Sequence, residues 1–200
     1  MLIKKSQFLT SITDIKNKPQ KHLDEVLFVG KSNVGKSSLI NSLANNKKLA
    51  YTSSKPGLTK FLNYYLINDS FYFVDCPGYG FSSKKDKDYL HYGNLVEEYF
   101  KDNKELKLIL FLLDSRHEPT LDDRDFFNFI TKTNYNYALV MTKCDKLNQS
   151  MKSKILANLK TAFIDLEDTD VLLSSINDKF LISCLENYIM SFVGGKKSEN

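Results

Sequence analysis

Eight consecutive residues, Gly30–Ser37, have the composition and spacing of a phosphate-binding loop: two glycines five positions apart, followed by lysine and serine. The segment Glu25–Val29 before them is short and mostly apolar, which favours a buried strand, and Ser38–Leu43 after them has a helical pattern of apolar residues. A strand that turns into a helix through glycines directs backbone N–H groups and the positive end of the helix dipole towards one point. The pattern therefore predicts an anion site in which Lys36 contacts terminal phosphates and the Ser37 hydroxyl binds Mg²⁺. The predicted contacts are Gly30, Lys31, Ser32, Asn33, Val34, Gly35, Lys36, Ser37 and Ser38.

Two further segments carry groups that could complete a site for a nucleoside triphosphate. Asp75–Gly78 ends an aromatic, β-prone segment with a carboxylate able to hold Mg²⁺ through a water molecule and a glycine N–H placed for a γ-phosphate. The same tetrapeptide is also a common turn, but its place after a phosphate loop favours the metal interpretation. In the loop before it, Thr59 is the candidate second protein ligand of Mg²⁺, although an isolated loop threonine would be unremarkable. The predicted contacts in these segments are Gly57, Leu58, Thr59, Asp75, Cys76, Pro77 and Gly78.

The end of a later predicted strand carries groups that distinguish guanine from adenine. A carboxylate at Asp145 can accept both the N1–H and the N2 amino hydrogens of guanine, whereas adenine offers no such pair of donors. The aliphatic part of Lys143 can lie over the purine ring, and the backbone after the last strand can donate to guanine O6. The set therefore predicts GTP rather than ATP. The predicted base contacts are Thr142, Lys143, Cys144, Asp145, Ser174, Ser175 and Ile176.

Strands and helices alternate along the chain, which predicts a three-layer α/β fold: a mostly parallel sheet with helices on both faces and ligands at the carboxyl ends of the strands. Two aromatic segments joined by three polar residues predict a hairpin that supplies one antiparallel edge strand, and the most apolar segment, Leu106–Asp114, predicts the central strand. The six predicted strands are residues 25–29, 61–67, 71–75, 106–114, 137–142 and 171–174.

Composition narrows the class of protein. With 42% hydrophobic and 26% charged residues, the 200-residue chain fits one globular domain, and its net charge of +4 is compatible with an acidic partner such as RNA without requiring one. Three cysteines without metal-ligand spacing predict reduced thiols. The N-terminus lacks the apolar core of a signal peptide, and the longest apolar run, Leu108–Leu113, is too short to span a membrane. We therefore expect a cytoplasmic protein. Residues 1–21 are predicted to be an extension that packs on a domain of residues 22–194, with a flexible tail at 195–200.

Five stretches together resemble the EngB (YsxC/YihA) family of bacterial GTPases. They are residues 30–41, 52–59, 75–81, 114–122 and 142–147. The fourth stretch, Asp-Ser-Arg-His-Glu-Pro-Thr-Leu-Asp, is the most specific because GTPases in general do not share it.

The resemblance to this family runs from about Asp24 to the C-terminal helix. It implies one Ras-like, Mg²⁺-dependent P-loop GTPase domain that binds GTP and GDP and acts in assembly of the large ribosomal subunit, with rRNA and ribosomal proteins as partners. It also implies an association with cell division and septation. We expect a monomer with neither DNA nor a membrane as partner.

The resemblance also shapes the expected mechanism. Ras-like enzymes orient the attacking water with a glutamine after the Asp-x-x-Gly element, but this chain has Tyr79 there, so slow intrinsic hydrolysis is predicted. Lys36, Thr59 and Gly78 are the predicted catalytic contacts. Related GTPases with asparagine at the position of Asn33 bind K⁺ through it, which gives the hypothesis of K⁺ activation.

Six lysines lie in the two loops near the predicted phosphate site. They could be ordinary solvated charges, or they could contact phosphate groups of rRNA. They are Lys47, Lys48, Lys55, Lys84, Lys85 and Lys87.

Two other functional classes are weighed against a GTPase switch. A GTP-dependent structural or recruiting protein acting directly in septation would be expected to carry a coiled coil or a membrane-binding helix, and none is evident. A kinase for a small molecule would need an acceptor site and a lid, and none is apparent either. A nucleotide-dependent switch in ribosome assembly is therefore the favoured interpretation.

Overall fold

The computed structural model describes residues 2–51, 61–79, 87–163, 166 and 169–193, and of residues 87–92 it describes the backbone alone. The predicted tail at 195–200 lies outside these ranges. The described strands are β1 (Ser6–Ile12), β2 (Asp24–Gly30), β3 (Leu62–Ile67), β4 (Phe71–Asp75), β5 (Leu106–Asp114), β6 (Tyr137–Thr142) and β7 (Asp170–Leu173). The described α-helices are α1 (Lys36–Leu43), α2 (Lys87–Phe100), α3 (Leu121–Ile130), α4 (Gln149–Ala162) and α5 (Lys179–Met190).

The described strands form one mixed sheet in the order β1-β3-β4-β2-β5-β6-β7. Only β3 among them runs against its neighbours, since β1·β3 and β3·β4 are antiparallel and the other pairs are parallel. The carboxyl ends of β2, β4, β5, β6 and β7 therefore lie at the same edge of the sheet. Parallel strands connected through helices place ligand-binding loops at that edge.

Two apolar layers cover the sheet and confirm the predicted three-layer α/β architecture. Along β5, Ile109, Phe111 and Leu113 pack on one face with buried residues of α2, α3 and α4. Leu108 and Leu110 pack on the other face with buried residues of α1 and α5. Apolar side chains on both faces explain why β5 is so hydrophobic. Within the part of the chain that is described, no helix is both long and apolar enough to cross a membrane.

The sheet contains one strand more than the six that were predicted. β1 lies within the N-terminal 21 residues and pairs with β3, so the predicted edge position of β3 is wrong and β1 occupies that edge. The strand gives little sequence signal because Phe8 and Leu9 are both exposed and the register shifts between Phe8 and Thr10. The middle position of the sheet belongs to β2, with β5 beside it, although β5 was the predicted central strand.

Candidate functional site

The strand β2 ends in a turn that only glycine can begin. A Cβ added to Gly30 would lie 2.7 Å from the carbonyl oxygen of Leu112 on β5, so a larger residue would separate the two strands. Asn33 and Gly35 then have positive φ angles of 63° and 107°, which turn the chain sharply before α1 begins at Lys36. Gly35 is the N-cap and has no side chain to accept hydrogen bonds from the first turn. These backbone donors and the helix dipole favour an anion at this point.

A buried ion pair joins the start of α1 to the end of β4. The Lys36 ammonium contacts the Asp75 carboxylate, and the two residues are only 9% and 3% exposed. The register of the sheet sets this pairing, because Phe28 lies opposite Asp75 and the N–H of Cys76 donates to the Phe28 carbonyl at 2.9 Å. The positive charge predicted for phosphates and the carboxylate predicted for Mg²⁺ are therefore adjacent.

The segment after β4 lies directly against the glycine-rich loop. The Ser32 N–H donates to the carbonyl oxygen of Tyr79 at 3.2 Å, and Lys31 and Tyr79 form an isolated parallel bridge. A Cβ added to Gly78 would lie 2.6 Å from Ser32 Oγ and 2.9 Å from Ser32 Cα, so this approach also requires glycine. The predicted phosphate loop and the predicted Asp-x-x-Gly element thus form one continuous surface.

The end of β6 is joined to the same loop through two side chains. The Thr142 hydroxyl lies 2.7 Å from the Val34 carbonyl oxygen and 3.1 Å from that of Leu113, within hydrogen-bonding reach of both. Lys143 Nζ donates to the Asn33 carbonyl at 2.8 Å, while its own backbone has a left-handed φ of 60°. The segment predicted to bind the base is therefore in direct contact with the segment predicted to bind phosphate.

Asp114, at the end of β5, anchors Lys143 from its other side. Lys143 Nζ lies 2.8 Å from Asp114 Oδ2, and Arg116 binds the same carboxylate through Nε at 2.9 Å and a terminal nitrogen at 2.7 Å. Burial by itself would raise the pKa of Asp114, but the hydrogen bonds from Arg116 and Lys143 outweigh it and hold the pKa well below its ordinary value. A charged Asp114 therefore orients Lys143, the lysine predicted to contact the base.

Asp145 follows β6 and has both carboxylate oxygens engaged. Ser175 Oγ donates to Oδ1 at 2.9 Å, and Asn177 Nδ2 donates to Oδ2 at 3.1 Å. Burial would raise the pKa of Asp145, yet the hydrogen bonds from Ser175 and Asn177 lower it below its ordinary value, so the group stays charged. Ser174 connects the two segments, because its carbonyl accepts from the Cys144 N–H at 3.2 Å.

Asn177 is a member of this site that the sequence did not indicate. Its amide fixes one oxygen of Asp145, and its backbone N–H donates to Ser175 Oγ at 3.1 Å. Only its position in the sequence could have indicated Asn177, because it follows Ser175 by two residues in the segment that was expected to contact guanine.

Most of the predicted site residues lie in four neighbouring segments, residues 30–38, 75–78, 142–145 and 174–176, but they are not equally available to a ligand. Cys76 and Cys144 are each 1% exposed and Val34 is 4% exposed, so a ligand would meet their backbone rather than their side chains. Ile176, by contrast, is 53% exposed beside the segment predicted to bind the base. The predicted contacts Gly57, Leu58 and Thr59 lie outside the described residues.

Comparisons with known proteins agree with this geometry. A family model described as "50S ribosome-binding GTPase" matches residues 25–143. A probable GTP-binding protein EngB from Lactobacillus helveticus is 41% identical over 190 residues, covering 94% of this chain and 97% of the relative. A protein of the same name from Clostridium kluyveri is 44% identical over 160 residues and 80% of each chain.

Solved structures share the architecture. The crystal structure of a probable GTP-binding protein EngB superposes with a TM-score of 0.66 at 20% identity, covering 84% of this chain and 97% of that one. Era bound to MgGDPNP and to nucleotides 1506–1542 of 16S ribosomal RNA has a TM-score of 0.68 at 25% identity, covering 90% of this chain and 60% of that chain. The fold, the loop geometry and the family model together define a P-loop GTPase, an enzyme class that binds GTP and GDP, hydrolyses GTP and generally uses Mg²⁺. Within that class, the chain belongs to the EngB family of GTP-binding proteins.

Proposed function

We propose that this GTPase is a slow nucleotide-dependent switch that acts in assembly of the large ribosomal subunit. The observation that carries the chemistry is the direct contact among three segments that are distant in sequence. Ser32 binds Tyr79, Lys36 binds Asp75, and Lys143 binds the Asn33 carbonyl, all at the carboxyl edge of the sheet. One ligand carrying both phosphates and a base could contact all three segments.

At the phosphate end, Lys36, Gly78 and Thr59 make the three catalytic contacts. The Lys36 ammonium binds the terminal phosphates, where it stabilises negative charge that develops during hydrolysis. The Gly78 N–H and a group from Thr59 contact the γ-phosphate, which is present in GTP and absent from GDP. Because Gly78 already touches Ser32 of the phosphate loop, its N–H is close to the anion site.

The residues present fit a magnesium ion. We propose that Ser37, Thr59 and Asp75 hold it, because hydroxyl and carboxylate oxygens are the hard ligands that Mg²⁺ prefers. Among the described residues, no group of three His, Cys, Asp or Glu side chains could hold a metal by itself. Mg²⁺ sites of this kind are completed by water and phosphate oxygens, and the bound ion supplies neutralising charge.

At the base end, Asp145 is assigned to the N1–H and N2 amino group of guanine. Each carboxylate oxygen can accept more than one hydrogen bond, so the contacts from Ser175 and Asn177 leave acceptor capacity for the base. The aliphatic part of Lys143 then lies over the purine ring, and the backbone of Ser175 and Ile176 lies near guanine O6.

The slow rate follows from the residue that replaces glutamine. Tyr79 is 8% exposed and its hydroxyl donates to Asp123 at 2.7 Å, so it is held in the protein interior rather than beside the phosphates. We propose that Asn33, at an exposed turn of the loop, instead holds a K⁺ ion whose charge offsets that of the phosphates.

This K⁺ assignment predicts a salt-specific rate. Initial rates of GTP hydrolysis are expected to fall at least about tenfold when Na⁺ replaces K⁺ at constant ionic strength. Asn33→Gly is the matched variant, because glycine tolerates the positive φ while the side-chain oxygen is removed, and it should be slow in both salts. Equal wild-type rates in the two salts would exclude the assignment.

Three observations support a ribosomal partner. The matching family model carries the words "50S ribosome-binding" in its description. A structural neighbour at 25% identity, Era, is seen with 16S ribosomal RNA. Lys47 and Lys48 are both exposed in the loop after α1, where they could contact RNA phosphates. The family's association with cell division and septation would then be indirect, because a shortage of ribosomes would by itself disturb division.

Co-sedimentation with purified large ribosomal subunits tests this partner. Binding is expected with a non-hydrolysable GTP analogue and is expected to fade with GDP. Changing Lys47 and Lys48 to glutamate should weaken binding, whereas the same change at Lys152 and Lys154, two exposed lysines on α4, should not. No binding in any nucleotide state would contradict the ribosomal role and would direct the search to division proteins.

A further inference from the structure

Tyr79 occupies a fixed place between the phosphate loop and α3. Its ring stacks on Phe126 with centroids 5.6 Å apart and an interplanar angle of 19°, and it also contacts Phe111. Its hydroxyl donates to Asp123 Oδ1 at 2.7 Å, in a buried environment. The side chain is therefore held both by ring packing and by a hydrogen bond to a carboxylate. A hydrogen bond to an ionised acceptor is stronger than one between two neutral groups.

Asp123 is itself held in position by the helix that it begins. It is 5% exposed, and its second oxygen, Oδ2, accepts from both the N–H and the hydroxyl of Thr120 at 2.7 Å. This is the capping box at the start of α3. One carboxylate thus serves two purposes: one oxygen closes the helix and the other binds Tyr79.

The backbone of Tyr79 contacts the phosphate loop, on the side away from Asp123. Its carbonyl accepts from the Ser32 N–H, and the preceding residue, Gly78, approaches Ser32 closely enough that no Cβ would fit. Whatever fixes Tyr79 therefore also fixes the position of the Gly78 N–H relative to the phosphate loop.

We propose that Tyr79 is a positioning residue for GTP: its hydrogen bond to Asp123 holds the Gly78 N–H where the γ-phosphate binds. This inference rests on the proposed role of Gly78. GDP has no γ-phosphate, so the contact distinguishes the two nucleotides. The residue at the glutamine position thus contributes to catalysis through the backbone beside it rather than by orienting water.

Tyr79→Phe tests the inference because it keeps the ring and removes the hydroxyl. Affinity for a non-hydrolysable GTP analogue and kcat for GTP are each expected to fall about tenfold, as for loss of a hydrogen bond to a charged group. Affinity for GDP should stay within about twofold of wild type. In an Asp123→Ala background, Tyr79→Phe should have no further effect.

Tyr72→Phe is the matched control. Tyr72 lies in β4 and its hydroxyl donates to the Lys21 carbonyl at 3.2 Å, so the change removes one tyrosine hydrogen bond outside the site and should leave both affinities unchanged. Equal losses of GDP and analogue affinity in Tyr79→Phe, or no loss of either, would overturn the positioning role.

Gly78→Ala separates this inference from the proposal on which it rests. If Gly78→Ala leaves the ratio of analogue to GDP affinity unchanged, the proposed contact with the γ-phosphate is wrong, and the positioning role is wrong with it. If Gly78→Ala lowers that ratio while Tyr79→Phe does not, the contact stands and the positioning role alone is wrong.

Discussion

Lys36→Ala is expected to abolish detectable GTP hydrolysis and, separately, to lower the free energy of unfolding of the nucleotide-free protein by about 3 kcal/mol. The second effect arises because the Asp75 carboxylate is 3% exposed and Lys36 is its ion-pair partner. Removal of one partner leaves a buried charge without compensation, which costs more than the pair itself contributes. Denaturant unfolding without nucleotide and a phosphate-release assay measure the two effects independently.

A surface ion pair of the same type provides the control. Lys5 and Asp69 lie 2.8 Å apart with side chains 60% and 53% exposed, so Lys5→Ala should change stability by less than about 1 kcal/mol. In the double variant Lys36→Ala/Asp75→Asn, neither position of the pair carries a charge, and much of the stability should return while hydrolysis stays absent. Unchanged stability in Lys36→Ala would mean that Asp75 is compensated in some other way, and retained hydrolysis would remove Lys36 from the catalytic contacts.

The sequence predicted the parts of the fold that a local pattern encodes. The β2–loop–α1 unit was found because its glycine spacing and the apolar segments on either side agree with each other. β1 was anticipated only as part of an extension that packs on the domain, because Phe8 and Leu9 are both exposed and no apolar alternation distinguishes the strand. Its place is set by pairing with β3, a contact between distant residues that no local pattern contains.

The same limit applies to the site. The residues of the loops were predicted by type and spacing, but the contacts that join the loops were not. Thr120 and Asp123 form a local capping box at the start of α3, yet nothing in the sequence showed that Asp123 also accepts a hydrogen bond from Tyr79. Asn177 was missed for a similar reason, since its partner Asp145 is 32 residues away. These contacts join polar side chains that are distant in the sequence, and a local pattern of residue types does not specify them.

Asp145→Asn is expected to change base specificity from guanine to xanthine. The asparagine amide can accept from the base N1–H with its oxygen but presents a donor where the carboxylate accepted the guanine 2-amino group. Two donors then face each other, and affinity for GDP should fall by roughly a hundredfold or more. Xanthine has a carbonyl oxygen at that position, so XDP should bind more tightly to the variant than to wild type. Competition of GDP and XDP against a fluorescent nucleotide measures both changes.

The surroundings of Asp145 can accommodate the amide without loss of the fold. Ser175 donates to Oδ1, and its hydroxyl can accept as well as donate. Asn177 donates to Oδ2, and its amide can present oxygen instead of nitrogen after a half turn. Because Asp145 lies at the protein surface rather than in the core, a change of charge there should have little effect on unfolding. Loss of GDP binding would therefore report recognition of the base rather than stability.

Asp178→Asn is the matched control for this substitution. Asp178 caps α5 by accepting from the N–H groups of Phe180 and Leu181, and asparagine is an equally good N-cap, so nucleotide preference should not change. If Asp145→Asn keeps the wild-type preference for GDP, then Asp145 does not bind the base. The backbone near Ser175 would then be left as the source of specificity, and a backbone donor to O6 alone would not separate guanine from xanthine, because both bases carry that oxygen. Only the group that meets position 2 of the purine can make this distinction, which is why the ratio of XDP to GDP affinity tests the assignment directly.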